Sequence, residues 1–228
     1  MRSDRPMDVF PGSMAIRLGG VPLQLLPDRA IWWPARQTLV VADVHLGKGA
    51  AFRKAGLPVP AGSSEKNLRR LDALLAMTAA QRLVVLGDLV HARSSHDAGL
   101  LDAVTRWREA RAEVAMLLIR GNHDRSAGRV PAAWSTVEQE EPFEEGELTF
   151  SHQPRCDLPA PVLAGHIHPV VSLRDFDRST LRVPCFVIES DRCLTLPAFG
   201  AFTGGFAMKR AEGQRLYVTS GKKVICVM

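Results

Sequence analysis

Several apolar segments of this chain each run into an aspartate or a histidine, and this constrains the fold more than any other feature. Thr38-Leu39-Val40-Val41-Ala42 precedes Asp43-Val44-His45, and Arg82-Leu83-Val84-Val85-Leu86 precedes Gly87-Asp88. Val114 to Ile119 lies just ahead of Gly121-Asn122-His123-Asp124, Leu148-Thr149-Phe150 ahead of His152, and Val162-Leu163-Ala164 ahead of Gly165-His166-Ile167-His168. Short continuous apolar runs bounded by turn residues read as buried strands. Strands ending in such residues bring them from distant sequence to one sheet edge, where open α/β sheets bind ligands. The chain has seven histidines, and His45, His123, His152, His166 and His168 all fall in these motifs.

Between the runs the periodicity changes. Leu68, Leu71 and Leu75 stripe a helix expected from about Ser63 to Met77, with Lys66, Arg69 and Arg70 largely off the stripe. A second helix is expected from about Asp97 to Ala112, with Leu100, Leu101, Val104 and Trp107 inward. The order strand–helix–strand–helix–strand argues for a helix-covered, largely parallel sheet. A hairpin around Gly19-Gly20 and a short strand at Ala30-Ile31-Trp32-Trp33 come before it, and residues 46–62 read as a long Gly/Pro-rich loop. Beyond Arg125 short β segments dominate. Residues 1–14 read as a disordered start and 15–228 as a single domain, because candidate ligands lie in both halves.

Composition adds bounds. A chain of 228 residues, 46% hydrophobic and 23% charged, can bury a substantial core. The net charge of +5 mildly favours an anionic partner. Cys156, Cys185, Cys193 and Cys226 have neither metal-site nor disulfide-framework spacing, so they read as small buried hydrophobes in a reducing cytoplasm. No stretch has the length and apolarity of a membrane span, and the first fifteen residues lack a signal peptide's apolar region.

The residue types specify a chemistry. The two-residue period of a strand would place Asp43 and His45 on one face, aimed at one cation. Gly87 allows a tight turn into Asp88, whose two oxygens can bridge two metals. Asn122 offers an amide oxygen; His152, His166 and His168 offer imidazole nitrogens. Such a thiolate-free N/O set suits Mn, Fe, Zn or similar ions, with the identity left open. Two divalent ions outweigh the charge of Asp43 and Asp88, so the centre would attract a phosphodiester and stabilise the charge of an in-line displacement. His123, with Asp124 next to it, reads as a proton donor to the leaving oxygen oriented by a carboxylate.

These motifs, in this order, resemble the calcineurin-like metallophosphoesterases. The resemblance implies a four-layer α/β/β/α sandwich with a dinuclear metal site at the strand ends. It implies Asp43, His45, Asp88 and His168 around one metal, Asp88, Asn122, His152 and His166 around the other, and His123 as the transition-state donor. The stretches Val41 to Lys48, Val85 to Arg93, Ile119 to Arg125 and Leu196 to Gly205 further resemble the bacterial PdeM group of ligase-associated DNA damage response endonucleases. That implies a Mn-dependent phosphodiesterase acting on DNA or small phosphodiesters, with a link to a DNA ligase, a helicase and an exonuclease in DNA repair.

Other readings stand beside this one. The same chemistry fits a phosphomonoester, a cyclic nucleotide or a nucleotide-linked substrate, and a non-catalytic scaffold of the same fold is the alternative from another class. Lys48, Arg53, Arg93 and Arg125, with Lys54, Arg129 and Arg155, lie on loops near the motifs and are candidate phosphate or nucleic-acid contacts; ordinary solvated charge is the other account. His91 and His96 read as loop or supporting residues, since both metal spheres fill without them. Trp32-Trp33 reads as one core and one rim residue rather than a stacking platform. Oligomeric state is undetermined.

Overall fold

The computed structural model describes residues 10–92, 98–174, 180–209 and 211–227. Within them the apolar runs form strands. β1 (Met14–Leu18), β2 (Val21–Leu26), β3 (Ala30–Trp33) and β4 (Thr38–Val41) make an antiparallel meander. β4 then pairs in parallel with β5 (Arg82–Leu86), β5 with β6 (Ala115–Ile119), and β6 with β7 (Thr136–Gln139). The crossover from β4 to β5 carries α1 (Lys48–Lys54) and α2 (Ser63–Thr78); that from β5 to β6 carries α3 (Ala98–Glu109), and α4 (Asn122–Ala127) follows β6.

The second sheet is built from later sequence: β8 (Phe143–Glu145), β9 (Leu148–Phe150), β10 (Val162–Ala164), β11 (Pro169–Arg174), β12 (Thr180–Glu189), β13 (Cys193–Thr195), β14 (Phe206–Ala207), β15 (Gln214–Thr219) and β16 (Val224–Cys226). Its main path runs β14-β11-β12-β13-β10-β9-β8, with β15 pairing β12 and β16 pairing β15. β9, β10 and β13 are parallel neighbours, which brings the ends of β9 and β10 to the same edge.

The inner parallel strands β4, β5 and β6 are apolar beyond Thr38 and Arg82 because both their faces are covered. Leu39, Val41, Leu83, Val85, Met116 and Leu118 face Leu68, Leu71 and Leu75 of α2 and Val104 and Trp107 of α3. The alternate residues Val40, Ala42, Val84, Leu86, Leu117 and Ile119 face the second sheet at Phe150, Leu163, Phe186 and Leu194. Each fully buried large side chain contributes about 1.5–3 kcal/mol of hydrophobic free energy, so a one-residue register slip would forfeit both layers together. The strand ends are thereby fixed, and so is whatever they carry.

The mixed α/β architecture with two sheets and helices is the expected fold class. The described α-helices all precede Gly128, however, and the outer face of the second sheet has no α-helix among the described residues. A small cluster of Cys185, Val187, Leu216 and Val218 lies in that sheet instead, with Val171, Val183 and Met208 packed against it.

Several local expectations are corrected. The loop at 46–62 contains α1, and the second helix ends at Glu109 rather than Ala112; its expected start at Asp97 lies outside the described residues. Strands β7 and β8 were not expected, because Glu138, Glu144 and Glu145 dilute the signal of Thr136, Val137 and Phe143; pairing with β6 and β9 makes them strands. Residues 1–9 of the expected disordered start lie outside the described residues, while Phe10 packs edge-on against Trp32. Trp32 and Trp33 are both core residues, because successive side chains enter opposite layers. Cys185 and Cys193 are buried as expected, but Cys156 and Cys226 are exposed. No helix of the described residues is long and apolar enough to cross a membrane.

Candidate metal centre

The strand ends converge, but not by the two-residue strand period. Asp43 and His45 lie past the end of β4 with left-handed φ of 54° and 49°, so their aim comes from a twisted loop rather than one pleated face. Asp88 (53°), His166 (72°) and His168 (49°) share this conformation. A left-handed non-glycine residue costs roughly 1–2 kcal/mol, and it persists only where the surroundings dictate it. They do so here. The Asp43 N–H donates to the Gly87 carbonyl at 3.1 Å and the His45 N–H to that of Asp88 at 2.8 Å. The His166 N–H donates to Asp43 Oδ2 at 2.9 Å. Five strained residues of metal-ligating type in one place mark a functional site.

Two glycines make the close packing feasible. Gly87 has φ of 80°, and a β-carbon there would collide with the His152 ring. A β-carbon at Gly121 would strike Asp88 Oδ1.

Asp88 lies between two donor groups. Its Oδ2 is 3.8 Å from His45 Nε2, and its Oδ1 is 3.6 Å from His152 Nε2. On the first side His168 Nε2 is 3.3 Å from both His45 Nε2 and Asp43 Oδ1. On the second side His152 Nε2 is 3.0 Å from Asn122 Oδ1 and 3.0 Å from His166 Nδ1. All seven expected ligands are therefore brought together, as two groups that meet at Asp88.

The donor set fits divalent cations. His152 Nδ1 donates to the Leu86 carbonyl at 3.0 Å and His168 Nδ1 to that of Thr203 at 2.9 Å. Each bond leaves a lone pair on Nε2, pointing inward. His152 Nε2 thus faces the Asn122 oxygen as one acceptor against another, and Asp43 Oδ1 is buried without a hydrogen-bond donor. Converging lone pairs with no proton between them suit a metal ion.

Electrostatics agree. Burial, then Lys48 and the neighbouring imidazoles, holds His45 far below the usual histidine range, so it is a neutral donor. Burial, then His152, lowers His166 as well. Burial and Asp43 raise the Asp88 carboxyl against the pull of His152. Burial opposes protonation of His168, but the Asp43 carboxylate beside it raises it overall. Lys48 is half-buried and lowered by desolvation, with Asp88 and Asp43 pulling the other way, which puts its charge beside the centre.

The expected orienting role of Asp124 is corrected. Its Oδ2 accepts the N–H groups of Asp88 at 2.7 Å and Gly121 at 3.0 Å, and its Oδ1 that of Val90 at 3.1 Å. Burial pushes its carboxyl up to about 6 despite these bonds. Asp124 therefore braces the loops carrying Asp88 and Asn122. His123 is oriented instead by the His91 carbonyl, which accepts from Nδ1 at 2.6 Å, with the His91 ring stacked at 4.8 Å. His123 Nε2 then lies 3.9 Å from Asp88 Oδ2. His45, His91 and His123 also form a compact group of potential donors, so His91 is closer to the centre than a loop role suggested. Burial, then Lys48 and His123, lowers His91 to about 4.

The cationic loop residues divide. Lys48 points toward the centre; Arg53 is exposed and donates to the Pro60 carbonyl. Arg125 is engaged by Glu140 and Glu141 at 3.1 and 3.2 Å, Arg129 lies 3.7 Å from Glu138, and Arg155 pairs with Asp157. These three serve local ion pairs. Arg93 and His96 lie outside the described residues. Sequence reasoning missed Glu141, whose Oε2 takes the His152 N–H at 2.6 Å. Nothing in its local pattern marks an acid eleven residues upstream as a brace for that loop.

A family model described as calcineurin-like phosphoesterase matches residues 37–185. Among solved structures, a Pseudomonas putida nuclease, MPE, is 41% identical, covers 94% of this chain and 100% of its own, and superposes with a TM-score of 0.83. Yfce, a phosphoesterase from E. coli, is 16% identical over 82% of this chain and 96% of its own, with a TM-score of 0.40, too distant to bear on the site. No curated protein matches.

Proposed function

Because the chain belongs to the calcineurin-like phosphoesterase family, we propose that it is a metal-dependent nuclease that hydrolyses phosphodiester bonds in DNA. The observation that carries this reading is the position of Asp88 between two donor groups, in a chain 41% identical to a nuclease. We assign Asp43, His45, Asp88 and His168 to one divalent ion and Asp88, Asn122, His152 and His166 to the other. When bound, such a pair supplies Lewis-acid activation of water and a clamp on the phosphate oxygens.

The chain's own residues do the rest. His152 and His168 hold their lone pairs inward through Nδ1–H bonds to Leu86 and Thr203. Lys48 adds positive charge where the substrate phosphate would sit. His123, with Nδ1 held by the His91 carbonyl, presents Nε2 at a partly exposed position. A water oxygen bonds to phosphorus as the P–O bond to the sugar breaks; that bond's electron pair stays on the sugar oxygen, which takes the Nε2 proton of the His123 imidazolium and leaves Nδ1–H on the His91 carbonyl.

The reading extends to manganese as the ion, bacterial DNA repair as the setting, the cytoplasm as the compartment, and a working link to a DNA ligase, a helicase and an exonuclease. The resemblance of the motif-flanking segments to the PdeM group supports these. We treat 15–228 as one domain, supported by the apolar layer that both sheets share.

The test is Mn-dependent hydrolysis of a single-stranded DNA oligonucleotide and of bis-nitrophenyl phosphate, each alongside Asp88→Ala. Cleavage of both, lost in the variant, is expected. Turnover of the small ester alone would keep the enzyme and remove DNA as its substrate, in favour of cyclic or other small phosphodiesters.

A further inference from the structure

Beside the metal centre, on the His168 side, a groove of about 830 Å³ runs between α2, the β11–β12 strands and residues 197–204. It is far larger than one phosphate needs. Its wall is tied to the centre, since Thr203, which lines it, accepts the His168 Nδ1–H. Arg29, Lys66, Arg70 and Arg182 line it against one acid, Asp28.

The two inner cations are built in. Arg70 donates to the carbonyls of Phe199 and Asp28, both at 2.8 Å, and Arg29 to that of Ala198 at 3.2 Å. The two guanidiniums are close enough to repel, and Asp28, the carboxylate beside them, is itself half-exposed. Lys66 and Arg182 are exposed toward solvent and have no carboxylate partner among the described residues. A positive excess held next to a phosphate-cleaving centre calls for a polyanion continuous with the reacting phosphate. Phe202, 37% exposed with a left-handed φ of 59°, sets an aromatic ring in the same wall. Such a ring stacks on an unpaired base, whereas duplex bases already stack on each other.

We propose that this groove binds the nucleotides flanking the scissile phosphate in an unpaired nucleic-acid strand, with Lys66 and Arg182 on its phosphates and Phe202 on a base. The proposal rests on the nucleic-acid reading of the site and names the path of the strand.

The experiment uses manganese-loaded protein, a fluorescent single-stranded oligonucleotide and bis-nitrophenyl phosphate. Anisotropy gives strand affinity across a salt series, and kcat/KM is measured on both substrates. For Lys66→Ala/Arg182→Ala the log–log salt dependence should become shallower by about 1.4, at about 0.7 per phosphate contact in a single strand. For Phe202→Ala strand affinity should fall about tenfold, with no change on an abasic strand of equal length. In both variants the loss on the oligonucleotide should exceed that on bis-nitrophenyl phosphate by about tenfold or more. If wild type binds and cleaves the strand and the variants match it, the groove assignment is wrong and the nuclease reading stands. If wild type turns over the small ester but neither binds nor cleaves the strand, the nucleic-acid reading fails, and the groove assignment with it.

Discussion

The Glu141 carboxylate holds the backbone of His152: Oε2 accepts its N–H at 2.6 Å, together with the Gln153 N–H at 2.8 Å and the Ser151 hydroxyl at 2.9 Å. Its other oxygen takes Arg125 at 3.2 Å. Burial opposes the charge, but these donors keep the carboxyl below its usual range. On the proposed ligand assignment, Glu141→Ala should weaken divalent-metal binding, probed with manganese, by about 10–100-fold, as loss of an outer partner of a metal ligand commonly does. Glu141→Gln, which keeps one carbonyl oxygen, should lose much less. Manganese titrations of activity, with free ion followed by electron paramagnetic resonance, read this directly. Wild-type affinity in the alanine variant would show that the bond is not needed.

His123→Ala should separate substrates by leaving group. A general acid contributes about 10²–10⁴-fold where the leaving oxygen is a poor one, such as a sugar alkoxide. A nitrophenolate leaves without a proton, so bis-nitrophenyl phosphate should lose far less. Equal losses of kcat on both substrates would remove the proton-donor assignment.

Gly87→Ala should cost both stability and activity. The residue sits at a φ of 80°, and the new methyl group would meet the His152 ring, whose Nδ1 is anchored to Leu86. The backbone cost alone is roughly 1–2 kcal/mol. In a chain of this size that lowers the thermal midpoint by about 2–8 °C. Scanning calorimetry on the variant, with turnover measured below its midpoint, tests both effects; an unchanged midpoint would contradict the packing described.

Cys156 is exposed but should alkylate slowly. Partial burial of its sulfur raises the thiol above its usual range, and Cys193 and the Glu189 carboxylate, 3.1 Å away, add to this. A raised thiol pKa leaves little thiolate at pH 8, and the thiolate is the reactive form. Iodoacetamide labelling followed by peptide mass spectrometry should find Cys156 at least about tenfold slower than a free cysteine at pH 8, accelerating through pH 10. Labelling at the free-cysteine rate would show that Glu189 does not suppress the thiolate.

What the sequence determined is tied to periodicity and residue type. Short apolar runs bounded by turn residues, such as Leu83 to Leu86, read as buried strands, and Gly87-Asp88 after one of them places a carboxylate at a strand end. The helical stripe of Leu68, Leu71 and Leu75 is equally local, so α2 falls where it was expected. The seven ligand candidates were legible because chemistry restricts them to a few residue types. Their aim was not legible. Left-handed backbone at Asp43, His45, Asp88, His166 and His168 is held by hydrogen bonds between segments far apart in sequence, and no local pattern encodes those.

Tertiary structure alone decided the partners. It gave His123 to the His91 carbonyl rather than to its neighbour Asp124, and put Asp124 under the backbone of Asp88, Gly121 and Val90. It turned Arg125 from a substrate contact into a partner of Glu140 and Glu141, and Glu141 into the brace of His152. The physical reason is that burial is encoded by short, local patterns, whereas a hydrogen-bond partner depends on which distant acceptor the packed sheets bring within about 3 Å.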